Sequence, residues 1–294
     1  MHHAILGAGG VGGLLGTCLA HSGEQVTMVV RPAALRSYPE RLHLESTFGN
    51  FDVAVERAST VPPADVLWIA VKATQLEDAL RSIPVPAPAR AMVPLLNGVD
   101  HVELLRERYG RDKVIPATFA GETERLAPGR FRHPSPFARL QVAEPGSPLL
   151  AGSFDELTRI GFICEFIGNE ATLMWGKLVF LGPLALSTSA AAATVGEVLA
   201  DPQKKQRFED CVRETCAVGV AEGASVSPET VLKTLPMLPP NMRSSMQKDI
   251  EKGNPPELDA ISGPILRGGA KHKIPVPATQ ALADAVARRA QHRP

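Results

Sequence analysis

Two groups of residues in the 294-residue chain have the types and spacing to do chemistry. The first centres on Lys177, the single cation in "LMWGKLVFLGPLALSTSAAAA", a stretch that reads as a buried helix. An ammonium among Leu, Val, Phe and Met loses hydration that only a partner restores, so such a lysine either snorkels outward or does chemistry. Burial lowers its pKa towards working pH, which suits a proton donor. The second group is "HAILGAGGVGGLLG", where Gly7-x-Gly9-x-x-Gly12 follows an apolar strand and opens a helix from Val11 to about Ser22. Gly7 permits the tight turn, Gly9 lets backbone approach a pyrophosphate, and Gly12 allows close helix packing. Gly7, Ala8, Gly9, Gly10, Val11 and Gly12 therefore read as a dinucleotide loop with the helix N-terminus facing the phosphates.

Further polar groups stand at strand ends. "EQVTMVV" ends in Arg31, where an NAD-binding chain normally carries an acidic residue for the ribose 2′-hydroxyl. A cation there suits a 2′-phosphate and points to NADPH, with an ordinary surface arginine as the plain alternative. "VKATQ" supplies Lys72 and Gln75, and "LLNGV" supplies Asn97 and Gly98. Ligands of open α/β sheets lie beyond the carboxyl ends of the strands, so these residues are candidates for cofactor or substrate contact. His101, just after Asn97-Gly98, is a weaker candidate for substrate. "RFRHP" at 130–134 reads as an ordinary strand edge. Cys18, Cys164, Cys211 and Cys216 form no CxxC, and no His pair has metal-ligand spacing, so no metal is expected. Reduced thiols in a cytoplasmic protein are the plain reading. Cys211 and Cys216, five apart on a helix, do not face one another.

These groups need elements to hold them. The first half alternates "HAIL", a helix, "QVTMVV", "VLWIAV", a helix from Gln75, "AMVPLL" and a helix from Val99, which predicts βαβ units and a parallel sheet. After about Asn169 strands stop. Amphipathic helical segments near 203–223, 228–235, 257–272 and 277–292 follow, separated by Pro-rich breaks. The expected architecture is an α/β Rossmann-type domain at 1–168 followed by an all-helical domain at 169–294. The length favours two such domains. Lys plus Arg equals Asp plus Glu at 31 each, so no global field draws in nucleic acid or an anionic membrane. No apolar run reaches 20 residues free of Gly and Pro, and the chain passes from Met1 straight into a strand, so neither a membrane span nor a signal segment is expected. His2 and His3 fit either a tag remnant or a native first strand.

The set "GAGGVGG", Arg31, "VKATQ", "LLNGV", "WGKL", "SSMQKDIEKGNPPELDAISG" and "HKIPVP" resembles the ketopantoate reductase (2-dehydropantoate 2-reductase) family over nearly the whole chain and in order. The stretch from Ser244 to Gly263 is the most specific. The resemblance implies an NADPH-binding Rossmann domain, a helical domain closing over it, and reduction of a small-molecule 2-oxo acid, a step of pantothenate biosynthesis. It implies Lys177 as general acid, Asn97 near nicotinamide and substrate, Lys72 beside the cofactor, Ser245 on the substrate carboxylate and Glu257 as a polar anchor. A homodimer through the helical domain is open on the resemblance alone. The chain departs from the family at one face. Family members carry asparagines four and eight residues after the lysine; here Leu181 and Ala185 stand at those substrate positions. A substrate hydroxyl there would lose its partners, so a more apolar 2-oxo acid than ketopantoate is expected. The alternatives are a reductase of another carbonyl substrate and an NADP-binding sensor without turnover.

Overall fold

The computed structural model describes residues 1–291. The chain divides into two compact units: Met1–Leu96 with His101–Gly168, and Asn97–Asp100 with Asn169 onward. The four residues Asn97–Asp100 leave the first unit and join the second, which a linear boundary near residue 168 does not anticipate.

The first unit is of the α/β Rossmann type. Its main sheet is parallel, in the order β5 (Glu56–Ala58), β2 (Gln25–Val29), β1 (His2–Leu6), β6 (Ala64–Ile69) and β7 (Ala89–Pro94). Such strands are covered on both faces and read as continuous apolar runs; Ala4, Ile5, Val66, Leu67, Trp68 and Ile69 are fully enclosed. His2 and His3 belong to β1, and His3 is buried, accepting from the Trp68 indole N–H at 3.1 Å.

Two further sheets complete this unit. One runs β4 (Gly49–Ala54), β3 (Arg41–Ser46), β10 (Arg130–His133) and β9 (Glu124–Ala127); the other runs β12 (Phe162–Ile167), β11 (Ala138–Ala143) and β8 (Ala117–Ala120). The expectation of a strand edge at 130–134 is corrected here. β10 lies inside its sheet, paired with β3 on one side and β9 on the other. His133 is buried between the hydroxyls of Ser46 and Ser135, each 2.9 Å from a ring nitrogen. The helices are α1 (Gly10–His21), α2 (Pro32–Leu35), α3 (Leu76–Leu80), α4 (His101–Tyr109) and α5 (Ser147–Ile160).

The second unit is helical: α6 (Glu170–Ala191), α7 (Val195–Ala200), α8 (Pro202–Ala221), α9 (Pro228–Thr234), α10 (Ser245–Glu251), α11 (Leu258–His272) and α12 (Pro277–Gln291). α6 starts at Asn169, whose Oδ1 accepts from the Thr172 N–H at 2.7 Å and satisfies one of the first-turn donors. It is long and apolar enough to cross a membrane, but two-thirds of it is buried within the protein, where it packs against α8, α12, α10 and α11. Its apolarity is that of a central core helix. Cys211 and Cys216 face separate clusters, with Met246 and Ile250 and with Phe208 and Val231 respectively. Burial pushes their thiols up to about 12 and about 11, so both stay protonated and inert.

Candidate active site

The glycine loop sits between β1 and α1. Gly7 has φ +111°, and a Cβ there would lie 2.7 Å from the backbone of Ala70, so the chain turns against the end of β6 at a position only glycine fits. A Cβ on Gly12 would fall 2.0 Å from the Gly7 carbonyl oxygen, which is how tightly the first turn of α1 packs back on the loop. Around Gly9 the space is open, with the nearest heavy atom 4.0 Å from a built Cβ. Bare backbone, an open approach and the orphan N–H groups of a helix start are what a pyrophosphate requires, so the loop fits a dinucleotide.

Arg31 follows β2, exposed, as the residue preceding α2. Lys72 precedes the short turn Ala73–Gln75 after β6, partly buried, and Gln75 is exposed at its end. All three lie beyond carboxyl ends of parallel strands, on the same side as the glycine loop.

The second unit assembles the lysine with two of its candidate partners. Lys177 Nζ donates to Asn97 Oδ1 at 2.8 Å, and Asn97 Nδ2 donates to Glu257 Oε2 at 3.1 Å. Only one orientation of the Asn97 amide satisfies both neighbours, since an ammonium cannot accept and a carboxylate cannot donate. Lys177 as a whole is half-buried, yet its ammonium is closely surrounded. Desolvation pushes its pKa from 10.5 down to about 8, and the Glu257 charge pulls the other way. Glu257 is itself buried, at the start of α11.

Asn97 reaches this position through its neighbours. Gly98 has φ +86°, and a Cβ there would sit 2.2 Å from the Ala260 carbonyl oxygen, so the loop lies flush against the first turn of α11. Val99 packs on the cluster of Trp175, Leu178 and Ile265. Arg267 pairs with Asp100 of the loop and, at 2.8 Å, with Asp259 of α11. The sequence reading named Asn97 and Gly98 but not Asp100, Asp259 or Arg267; the i, i+8 spacing of Asp259 and Arg267 on one helix was the available signal.

The remaining expected residues part company. Leu181, one turn beyond Lys177, is partly exposed. Ala185 has no exposed surface and packs in the core with Leu186, Cys211, Met246 and Ile261. Ser245 is exposed at the first position of α10, while its buried neighbour Ser244 does structural work, accepting from the Gln247 N–H at 3.2 Å and lying 2.9 Å from the Thr188 hydroxyl. His101 lies in the first unit, buried on α4. Among the described residues no cluster of His, Cys, Asp or Glu could hold a metal ion.

A nucleotide-binding Rossmann unit joined to a helical unit with a lysine of lowered pKa defines a two-unit oxidoreductase acting on a carbonyl and alcohol pair. The family model for the ketopantoate reductase PanE/ApbA domain matches residues 3–145, and that for the PanE/ApbA C-terminal domain matches residues 170–290. The chain belongs to the ketopantoate reductase family. It is 28% identical to a 2-dehydropantoate 2-reductase of Caulobacter vibrioides, covering 94% of each chain, and 25% identical to an uncharacterised oxidoreductase of Bacillus subtilis, covering 96% of each. Among solved structures, a PanE/ApbA family ketopantoate reductase from Ralstonia eutropha superposes with a TM-score of 0.88 at 26% identity, covering 100% of this chain and 99% of that one. D-mandelate dehydrogenase with NADH and anilino(oxo)acetate shares the fold, with a TM-score of 0.85 at 20% identity over 99% of both chains.

Proposed function

We propose that this chain reduces a 2-oxo acid to the 2-hydroxy acid with NADPH, and prefers substrates with an apolar side chain to ketopantoate. The observation that carries the reading is the Lys177–Asn97–Glu257 array, a desolvated ammonium held at 2.8 Å by an amide that a buried carboxylate orients in turn. The reduced nicotinamide supplies the hydride when bound. Lys177 then gives its proton to the developing alkoxide and, while charged, stabilises the negative charge on that oxygen. Glu257 keeps the ammonium protonated against desolvation, and Asn97 fixes its direction. Ser245 serves the substrate carboxylate, while Lys72 and Gln75 flank the cofactor and Arg31 takes its 2′-phosphate. We assign nucleotide binding to 1–168 and the proton donor to the helical part from 169, which takes Asn97–Asp100 with it. A protein that only sensed NADP would have no use for a desolvated acid, which weighs against that alternative.

The substrate preference comes from Leu181. Partly exposed one turn from the ammonium, it offers a substrate side chain an apolar surface where a hydroxyl would find no partner. Ala185 takes no part, since it faces the core. The D-mandelate dehydrogenase of the same fold acts, by its name, on an aryl 2-hydroxy acid, so the fold admits such a group. The cytoplasm is the compartment we assign, consistent with four free cysteines. The test is steady-state NADPH oxidation with a panel of 2-oxo acids, in which β-branched or aromatic side chains should give a higher kcat/KM than ketopantoate. A tenfold preference for ketopantoate over every apolar acid would return the chain to ketopantoate reduction.

A further inference from the structure

The first unit carries a second arginine that the assignment above leaves unused. β9 begins beside the glycine loop: a Cβ on Gly10 would come within 2.6 Å of Thr123 Oγ1 and 2.9 Å of the Thr123 backbone. Just past its other end, a Cβ on Gly129 would meet Pro39 at 2.3 Å and the Arg41 carbonyl oxygen at 3.0 Å. The strand thus runs from the first residue of α1 to the segment that follows Arg31 and α2. Arg125 lies between, opposite Phe131 across the antiparallel ladder. Directly opposed residues share a face of the sheet, and the Phe131 ring packs on Gly13 of α1. Arg125 therefore projects on the α1 side, next to the turn that opens the helix.

Among the described residues neither Arg125 nor Arg31 pairs with a carboxylate, and both are exposed. The nearby Arg57 is committed, bonded to Glu40 and to the Tyr38 carbonyl. Tyr38, seven residues after Arg31, is 3% exposed, and its buried hydroxyl has no hydrogen-bond partner. Burial raises the pKa of that phenol, and the charge of Arg125 opposes the rise. An exposed guanidinium on the strand that starts at Gly10, a second just after β2 and an unsatisfied phenol in the segment that follows offer the donors a phosphate monoester needs, whose oxygens accept from planar forks.

We propose that Arg125 is a second guanidinium for the cofactor's 2′-phosphate, facing Arg31 across it, with the Tyr38 hydroxyl completing the donor set. The assignment rests on the NADPH reading and goes beyond it by naming what determines cofactor choice. Calorimetric titration with 2′,5′-ADP, 5′-AMP, NADPH and NADH tests it on wild type, Arg125→Met, Arg31→Met and Tyr38→Phe. Arg125→Met should weaken 2′,5′-ADP and NADPH by about tenfold or more, as expected for a lost charge-assisted hydrogen bond, and leave 5′-AMP and NADH within twofold. Tyr38→Phe, which keeps the packing, should weaken the same two ligands a few-fold. Equal losses for all four ligands in Arg125→Met would place the residue on the pyrophosphate or in the scaffold and overturn the proposal. Loss in Arg31→Met alone would also overturn it while leaving NADPH as cofactor. A wild type that binds 2′,5′-ADP no tighter than 5′-AMP would remove the NADPH reading itself.

Discussion

Replacing Gly98 with alanine tests whether Lys177, the proton donor proposed above, depends on the loop that carries Asn97. The added Cβ would stand 2.2 Å from the Ala260 carbonyl oxygen, against the 3.0 Å below which real Cβ atoms are essentially never found. The loop must therefore withdraw from α11 by about 0.8 Å, the difference between those two distances. Asn97 is the next residue, and its 2.8 Å bond to Lys177 stretched by that amount passes the limit of a hydrogen bond. The positive φ adds roughly 1–2 kcal/mol of backbone strain for a residue with a Cβ. A misplacement of this size at a reacting group costs up to about 10²-fold in rate, so kcat should fall by ~10- to 10²-fold. NADPH affinity, which the proposed reading assigns to the glycine loop, should hold. The control is Gly110→Ala: its φ of +98° carries comparable strain, but a Cβ there meets nothing within 4 Å, so kcat should stay at wild type. The assay is NADPH oxidation with the best 2-oxo acid, with circular dichroism to confirm folding. A folded Gly98→Ala enzyme with kcat within twofold of wild type would show that the loop does not position the lysine.

Lys177→Ala should lower kcat by about 10² to 10⁴, the range for losing one positioned proton donor, with NADPH affinity largely kept; a few-fold change would return Lys177 to a structural role. If Lys177 is the proton donor, reduction needs its ammonium, whose pKa is lowered to about 8, so kcat should be level below that pH and decline above it, while the reverse oxidation rises through the same range. Removing the charge that holds this pKa up, by Glu257→Gln, should move the declining limb to lower pH, and an unchanged limb would contradict the coupling. Leu181→Asn should raise kcat/KM for ketopantoate relative to an aromatic 2-oxo acid by roughly tenfold, the worth of one recovered hydrogen bond; no change in the ratio would detach Leu181 from substrate choice. Ala185→Asn should instead destabilise the fold by roughly 1–3 kcal/mol through an unpaired carboxamide, seen as a lower Tm, and a neutral Tm would mean the site is less closed than its zero exposure indicates.

Signals that depend on local backbone were readable from the sequence, and signals that depend on distant packing were not. The glycine loop has to look as it does because Gly7 turns at positive φ and Gly12 abuts a carbonyl, both imposed within six residues. The helices at 202–221 and 258–272 announce themselves by period and by the prolines around them. The sheet β4-β3-β10-β9 was missed although Leu42 and Leu44 alternate with exposed residues in "RLHLES", since a short antiparallel hairpin between βαβ units interrupts the pattern that dominates the first half. Ala185 shows the limit of helical spacing. It stands eight residues after Lys177 and so on nearly the same face, but α6 is covered there by α10 and α12. Spacing gives the face of a helix; the neighbours decide how far along that face remains open.

With Lys177 as the proposed proton donor, the array around it also bears on how the acid would be restored after each turnover. The bond to Asn97 survives loss of the proton, because a neutral amine still donates to Oδ1, so the nitrogen stays aimed in both states. The attraction of Glu257 does not survive it: that attraction acts only on the charged form, and it opposes the desolvation that drives the proton off. One partner thus fixes direction independently of charge, and the other sets the charge from one residue further away. A direct Lys177 to Glu257 ion pair would merge the two functions, and by stabilising the ammonium more strongly it would hold the proton too tightly to release it near neutral pH. The intervening amide of Asn97 keeps the carboxylate close enough to favour reprotonation and too far to prevent transfer.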